Sequence, residues 1–445
     1  MAGPPNVIYL HSHDTGRWIE PYGFAVPTPN LRRLAEEGML FRQAFCANPT
    51  CSPSRAALLT GQWAHSAGSL GLAHRGFGLK DCSRHLAQTL KAAGYSTFLS
   101  GIQHEVARED LALLGYQAII GEPGNADAKA AEFLRGKPPR PFFLSVGFFQ
   151  THREFPPAPF APKAGNLRPP PPLPDHPVAR GDFAGFVAAA QALDARIGNV
   201  LAALEHAGLA DDTLVICTTD HGPAFPFFKC NLTDGGTGVF LILRGPGGFA
   251  GGKVCDALVS QIDVFPTVCD VIGIPKPAWL QGHSLAPLAA GTAQEVRGEL
   301  FSEVNYHAAY EPMRAVRTRR WKYIVRYDGR ARPVLPNCDD SPTKDLYLEL
   351  GWGRRAPDHE ALYDLFCDPC ETTNLAGGPA HQGALKDQHV LEHQGVLNEM
   401  REKLQAWMRA TDDPLLRGPV PAPEGALVND PDGLSPKEPT QPARR

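Results

Sequence analysis

Short apolar runs that end in polar, ligand-type side chains recur through the first half of the chain. Asn6-Val7-Ile8-Tyr9-Leu10 runs into His11-Ser12-His13-Asp14, and Tyr95-Ser96-Thr97-Phe98-Leu99 is followed by Gly101-Ile102-Gln103-His104. Phe142 to Phe148 precedes His152, and Thr213-Leu214-Val215-Ile216-Cys217 precedes Asp220-His221-Gly222. Apolar runs of this length suit strands buried on both faces, as in a parallel sheet. Helical patterns lie between them. Thr28-Pro29-Asn30 caps a short helix through Leu31, Leu34 and Ala35 to Gly38, and another helix ends near Gly94. From Phe183 the positions Phe186, Val187, Ala190, Leu193, Ile197, Val200, Leu201 and Leu204 step at three and four, the stripe of a long amphipathic helix ending near Gly208. Strands alternating with helices predict an α/β fold with a mostly parallel sheet, whose ligands bind beyond the carboxyl ends of the strands. His13, Asp14, His104, His152, Asp220 and His221 all fall at such ends.

After about Leu300 the pattern changes. Met313-Arg314-Ala315-Val316-Arg317 and Trp321-Lys322-Tyr323-Ile324-Val325 predict two antiparallel strands across a turn containing Arg319-Arg320, their basic residues forming a solvated strand face. Val396 to Trp407 predicts a closing helix, and the Pro, Gly and charge content beyond Pro419 predicts a poorly ordered tail. Single cores stop growing at roughly 250 to 300 residues, so 445 residues predict a large domain over 1–300 and a smaller one over 301–418, with a tail over 419–445. Pro156 to Pro177 is Pro-rich and loop-like.

A formal net charge of −4 gives no global attraction to nucleic acid or to an anionic membrane, so an anionic substrate must be drawn by a local cationic pocket. No run approaches the ~18 to 20 apolar residues of a membrane span. The first strand starts close to Met1, and ten scattered Cys fit reduced thiols better than a disulfide framework; a cytoplasmic enzyme is expected. Cys367-Asp-Pro-Cys370 is a lone pair of thiols without the second ligand pair that a zinc site needs.

Cys51-Ser52-Pro53-Ser54-Arg55, running on to Leu59-Thr60-Gly61, reads as a reactive residue on a helix N-terminus. Ser52 is a good N-cap, Pro53 suits the first helical turn, and Gly61 is a natural stop. Unpaired N–H groups and the guanidinium of Arg55 make this a seat for sulfate or phosphate. The same stretch also fits a buried Cys before a short capped helix. Breaking a sulfate ester or sulfamate needs a nucleophile, a cation to gather the nonbridging oxygens and an acid for the leaving group. The strand-end residues and Cys51 offer each, with Asp14, Asp220 and His221 able to meet at one metal.

Cys51-Ser-Pro-Ser-Arg with Leu59-Thr60-Gly61 resembles the sulfatase signature Cys-x-Pro-x-Arg and its downstream Leu-Thr-Gly, and further stretches up to Leu362-Tyr363-Asp364-Leu365 and Asn374-Leu375-Ala376 resemble the same family. Within it the chain looks most like the heparan N-sulfatase group. The resemblance implies an alkaline phosphatase-like fold: a mostly parallel central sheet sandwiched by helices, with a smaller C-terminal α+β subdomain containing an antiparallel sheet. It implies that Cys51 is oxidised to formylglycine by a formylglycine-generating or anaerobic maturation enzyme, and that the substrate is a small sulfated carbohydrate. A homo-oligomer is compatible with it.

Carried over by position, the resemblance implies metal ligands His13, Asp14, Cys51, Asp220 and His221, and catalytic roles for Cys51, Arg55, His104, His152 and Lys229. His104 matches the residue that contacts the formylglycine, His152 the one that protonates the leaving group, and Lys229 the cation that holds the scissile group. The family metal is Ca²⁺. His13 stands where the family has Asp, which replaces a hard oxygen ligand by imidazole and leaves room for Mg²⁺, Mn²⁺ or Zn²⁺. Ile102 stands where the family has a sulfate-binding Lys. Two other readings stand beside this one: a phosphonate monoester or phosphodiester hydrolase on the same scaffold, whose Asp-His ending Asp220-His221 also resembles, and a binding protein that has lost its chemistry, suggested by the departures at His13 and Ile102.

Overall fold

The run Asn6–Ser12 becomes β1, in the interior of an eight-stranded sheet in the computed structural model, which describes residues 3–156, 164–377 and 386–443. The other strands are β2 (Met39–Phe45), β3 (Ser96–Gly101), β4 (Ala118–Gly121), β5 (Phe142–Gly147), β6 (Thr213–Thr219), β7 (Leu241–Arg244) and β8 (Lys253–Ser260). Their spatial order is β4-β3-β5-β1-β6-β7-β2-β8, and every pairing is parallel except the two made by β7. All seven residues of β1 are buried because alternate side chains enter two different layers. Val7 and Tyr9 pack with Leu58, Leu86, Leu90 and Val268, while Ile8 and Leu10 pack with Leu31, Leu34, Leu193, Ile197 and Leu201. Helices therefore cover both faces of the sheet.

Two helices position the site. α1 (Pro29–Glu37) starts after Thr28 as the pattern predicts, but the Thr28 side chain makes no cap bond. The free N–H groups of Asn30 and Leu31 donate instead to the carboxylate of Asp194, on the long helix Pro177–His206, at 3.1 and 2.8 Å. α2 (Cys51–Thr60) stops at Gly61, whose φ of +63° is the left-handed conformation that a helix stop favours. Its N-cap is Thr50, so Cys51 lies in the first turn and Ser52 is not the cap; the Ser52 hydroxyl instead accepts from Ala73 N at 2.9 Å.

A second sheet has the antiparallel order β12-β11-β10-β9, made of β9 (Leu300–Tyr306), β10 (Tyr310–Arg317), β11 (Trp321–Arg326) and β12 (Glu360–Asp364). The hairpin around Arg319-Arg320 forms as expected, with Arg317 opposite Lys322. Its basic residues correct the sequence reading: Arg314, Arg317 and Lys322 are buried rather than solvated. Each has an acid to meet, Arg314 pairing with Asp413 at 2.6 Å, and Arg317 and Lys322 with Asp234 at 2.9 and 2.8 Å. Buried guanidinium and ammonium groups persist only when paired in this way. The closing helix spans Lys386–Ala410 and lays Leu397, Met400, Leu404 and Trp407 over Val316, Tyr323 and Leu362. Ala57 of α2, Trp63 and Ile262 belong to the same cluster, so the two sheets share a core.

The segment beyond Pro419 is not a loose tail. β13 (Leu427–Val428) pairs with β14 (Gln441–Pro442), and Val420, Ala426 and Val428 are buried with Phe77 and Tyr306. Three apolar side chains among the Pro and Gly suffice to dock it, which composition averaged over the segment hides.

Candidate active site

The strand ends converge. β1 delivers His13 and Asp14, β6 delivers Asp220 and His221, β2 leads into Cys51, and His104 and His152 follow β3 and β5. Asp14 has a φ of +52°, uncommon for a residue with a Cβ, and is held there by its N–H donating to Asp220 Oδ1 at 2.8 Å and by Thr151 donating to its carbonyl at 2.9 Å. Cys230 and Phe227, flanking Lys229, also have positive φ. Backbone held in this region by surrounding bonds clusters at functional sites.

Around Cys51 the distances are short. Its Sγ lies 3.4 Å from His221 Nε2 and 4.0 Å from Asp14 Oδ1, and His221 Nε2 lies 3.4 Å from Asp14 Oδ1. His221 Nδ1 donates to Gly222 O at 2.9 Å, which leaves the Nε2 lone pair facing Cys51 and Asp14. His13 Nδ1 lies 3.3 Å from Asp220 Oδ2, in ion-pair range but without the alignment of a hydrogen bond, and neither of its ring nitrogens has a hydrogen-bond partner. Donor atoms of His13, Asp14, Cys51 and Asp220 all lie within 4.8 Å of one another. A buried set of two carboxylates, imidazole and sulfur with unpartnered nitrogen fits a divalent cation.

The charges are arranged to keep Asp220 ionised. Burial alone would raise the pKa of Asp220, but His221, Arg55 and Lys229 hold it well below the usual carboxylate range. Arg55 is 1% exposed and faces inward, donating to Ser12 O at 2.7 Å, to Asp220 Oδ2 at 3.0 Å and to His11. It braces Asp220 rather than presenting a free guanidinium to the pocket. Lys229 Nζ lies 3.0 Å from Asp14 Oδ2 and 3.2 Å from Asp339 Oδ2, and these two carboxylates hold its pKa well above the ordinary value against the opposing effect of burial. Burial also pushes the Cys51 thiol well up, so the encoded cysteine is a neutral thiol.

The mouth is lined by histidines. His152 packs edge-on to His13 with ring centroids 5.8 Å apart and donates through Nδ1 to the carbonyl of Arg153, whose guanidinium is clamped by Asp182 at 2.7 and 2.8 Å. The His104 ring is 5.8 Å from His13 and stacks on His74 at 5.4 Å. Burial, together with Arg55 and His74, pushes the pKa of His104 down to about 3, so it is neutral. Every site residue expected from the sequence thus lies in one neighbourhood.

Three more residues come with them. Asp339, from the loop after Leu335–Asn337, faces Lys229; burial opposes its ionisation, but Lys229, His307 and His152 hold its pKa well below the ordinary value. His307 and His74 complete the wall. None of the three carries a local signal, since Asp339 reads as an acid before a capped helix and both histidines lie outside the repeating strand ends. A cavity of about 870 Å³ lies alongside, between Phe227, Tyr347, Trp352, Arg317 and Glu371; of the site residues expected from the sequence, Lys229 alone lines it.

Comparison with known proteins agrees with the geometry. The family model described as Sulfatase matches residues 5–274, and that described as N-sulphoglucosamine sulphohydrolase, C-terminal, matches residues 226–344. N-sulphoglucosamine sulphohydrolase from Homo sapiens is 31% identical, over 96% of this chain and 93% of its own length. Arylsulfatase A from Homo sapiens is 28% identical over 95% of this chain and 92% of its own. Among solved structures, a 2-O GAG sulfatase superposes with a TM-score of 0.71 at 23% identity, covering 95% of each chain. A protein solved with its substrate D-glucosamine-2-N,6-O-disulfate superposes with a TM-score of 0.69 at 18% identity, covering 94% of this chain and 99% of that one. These two likenesses establish the fold. The relatives named here are sulfohydrolases and sulfatases, which leaves the phosphodiesterase reading without support.

Proposed function

The chain belongs to the sulfatase family, whose members are sulfuric ester hydrolases, and from that membership we propose that it removes sulfate from an N-sulfoglucosamine-like carbohydrate through formylglycine at position 51. The observation that carries this reading is the placement of Cys51 in the first turn of α2, within 4.8 Å of His13, Asp14 and Asp220. A neutral buried thiol is a poor nucleophile, so the chemistry calls for its conversion. A divalent ion held by Asp14, Asp220, His221 and His13 would supply Lewis acidity for the sulfuryl oxygens.

The chain's own residues do the remainder. Lys229 brings a fixed positive charge beside Asp14, where negative charge on the sulfuryl oxygens must be carried. Arg55 keeps Asp220 ionised and aimed. His152, oriented through Nδ1 by the Arg153 carbonyl, presents Nε2 at the mouth to protonate the departing nitrogen or oxygen. His104, neutral and beside position 51, is placed to take a proton there when sulfate is released.

The test pairs peptide mass spectrometry over position 51 in protein from its native host with turnover of an N-sulfoglucosamine, an aryl sulfate and a phosphodiester. Expected are the mass of formylglycine and turnover of the sulfamate above the others, both lost in Cys51→Ala. An unmodified Cys51 in fully active protein would overturn the nucleophile, and preferred turnover of the phosphodiester would overturn the substrate class.

A further inference from the structure

Asp339 is a carboxylate at the site that neither belongs to the metal-binding cluster nor carries a proton. Its Oδ2 is buried with no hydrogen-bond partner and rests on the ammonium of Lys229 at 3.2 Å. The same ammonium lies 3.0 Å from Asp14 Oδ2, so a single cation separates Asp339 from the metal-binding carboxylates.

The fold delivers Asp339 and His152 together. Thr343, in the first turn of the helix Pro342–Glu349, donates to Asp182 Oδ2 at 2.6 Å, and Asp182 clamps the guanidinium of Arg153 at 2.7 and 2.8 Å. Lys344 Nζ donates to Cys338 O at 2.7 Å and to Asp340 at 3.0 Å, which pins the loop on either side of Asp339. One buried carboxylate thus ties the turn that presents His152 to the loop that presents Asp339. Lys229, His307 and His152 keep Asp339 ionised, and its side chain is only 16% exposed, so solvent screens its field weakly.

A fixed negative charge beside the leaving group acts oppositely on the two bonds that a sulfatase can break. When His152 passes a proton to a sulfamate nitrogen, that nitrogen becomes cationic. The oxygen on residue 51 then bonds to sulfur as the S–N bond breaks, the electron pair stays on nitrogen, and the amine departs. In an ester the bridging oxygen gathers negative charge as its bond to sulfur breaks, and the proton only neutralises it. A neighbouring carboxylate stabilises the protonated nitrogen and repels the oxygen.

On the sulfatase reading, and with His152 as the acid, we infer that Asp339 makes this site selective for the N–S bond of a sulfamate over the O–S bond of a sulfate ester. Asp339 is then a specificity-determining residue whose carboxylate faces the departing nitrogen. The same contact receives the ammonium form of the amine product.

The test uses N-sulfoglucosamine and glucose 2-O-sulfate, which differ only in the bridging atom. Full-length protein carrying formylglycine should prefer the sulfamate. Asp339→Asn should lower the sulfamate-to-ester ratio of kcat/KM by about tenfold or more, the weight of one hydrogen bond to a charged group. Asp339→Glu, which keeps the charge, should keep a preference for the sulfamate. The ratio decides because a loosened Lys229 slows both substrates alike; an unchanged ratio with both rates down would make Asp339 only a support for Lys229 and overturn the selectivity. Preference for the ester in the unsubstituted protein would overturn it without any variant, and would leave the sulfatase reading standing. Where ester turnover is below detection, calorimetry compares binding of glucosamine and glucose in mildly acidic buffer. Tighter binding of the ammonium sugar, lost in Asp339→Asn, is expected, and its persistence in that variant would refute the role of Asp339. Turnover of neither compound, nor of an aryl sulfate, would strike the sulfatase reading itself, a result distinct from an unchanged ratio.

Discussion

At the scale of single residues, the site is held by ion pairs whose members are not interchangeable. Asp220 accepts from Arg55, from Asp14 N and from His221 N, and it borders His13. Asp220→Asn should lose bound metal and activity together. It should also cost about 3–5 kcal/mol of stability, because Arg55 is left charged and buried without its partner. Asp14→Asn should lose metal with a smaller fall in melting temperature, since Asp14 pairs with a lysine that keeps Asp339. Calorimetry alongside metal analysis separates the two, and equal melting temperatures would refute the bracing role of Arg55. Lys229→Met should lower kcat/KM by roughly two to three powers of ten, the usual cost of removing one preorganised charge donor. Retention of wild-type activity would show that Lys229 serves only to neutralise Asp14 and Asp339. Most of these residues were legible because they follow an apolar run or lie in the Cys-x-Pro-x-Arg motif, whereas Lys229 was reached only through the family resemblance. Asp339 was not, because what makes it part of the site is its position after a second sheet has folded back onto the first.

At the scale of elements, the hydrophobic pattern located helices and strands, and the polar partners that fix their ends came from far away in sequence. Thr28 has the right chemistry to cap α1, yet its hydroxyl is taken up by the loop before the helix, accepting from Glu20 N at 3.0 Å. Asp194, 163 residues on from Leu31, takes its place. Asp194→Ala should cost about 1–2 kcal/mol, as loss of an N-cap does, and chemical denaturation measures it. No change would mean that water caps α1 equally well. The buried cations of β10 and β11 show the same limit. Alternation along Met313–Arg317 is visible in the sequence, but both of its faces are buried, which Arg314 and Arg317 tolerate because Asp413 and Asp234 arrive from other parts of the chain. Strands β4, β7 and β8 escaped notice for a related reason: β4 and β7 are only four residues each, and β8 opens on exposed Lys253 and Val254.

At the scale of the whole molecule, two joints tie the sheets together, and each predicts a measurable coupling. In the first, Glu371 packs against Asp234 and Lys322; its Oε1 lies 3.3 Å from Lys322. Burial, reinforced by Asp234 and opposed by Lys322, raises its pKa from 4.5 to about 7. An acid whose pKa is raised on folding binds more protons in the folded state. Its contribution is complete below pH 4.5 and is lost as pH rises through about 7. Glu371→Gln, which keeps the acceptor for Asp234 N, should flatten the fall of melting temperature with pH across that window and raise stability above it. An unchanged slope would assign the pH dependence to other groups.

The second joint is the C-terminal segment, and it reaches the site through its own contacts. Val420 N donates to Tyr310 Oη at 2.8 Å and Val420 O accepts from Tyr306 Oη at 2.7 Å, while Asn429 accepts from Arg75 at 2.7 Å and donates to Ala308 O at 2.8 Å. Arg75 is the neighbour of His74, which stacks on His104 at the mouth. Stopping the chain after Gly418 would uncover Phe77 and Tyr306 and remove Val420 and Val428 from the core, a loss of roughly 3–6 kcal/mol at about 1.5–3 kcal/mol for each large apolar side chain. It would also strip Arg75 of its bonds to Asn429 and Pro436 O and leave it the one to Ala308 O at 3.1 Å, which loosens the turn that carries His74. The expected outcome is a folded protein with a lower melting temperature and kcat/KM reduced by about tenfold or more, the size of effect that misplacing a positioning group produces. Arg75→Ala in the full chain should reproduce part of the kinetic loss with little of the thermal one, because it severs the link to His74 while leaving the apolar contacts in place. Hydrogen exchange on residues 73–76 reads the link directly: faster exchange in the truncated chain is expected, and unchanged exchange there would show that the C-terminal segment stabilises the fold without steadying the site.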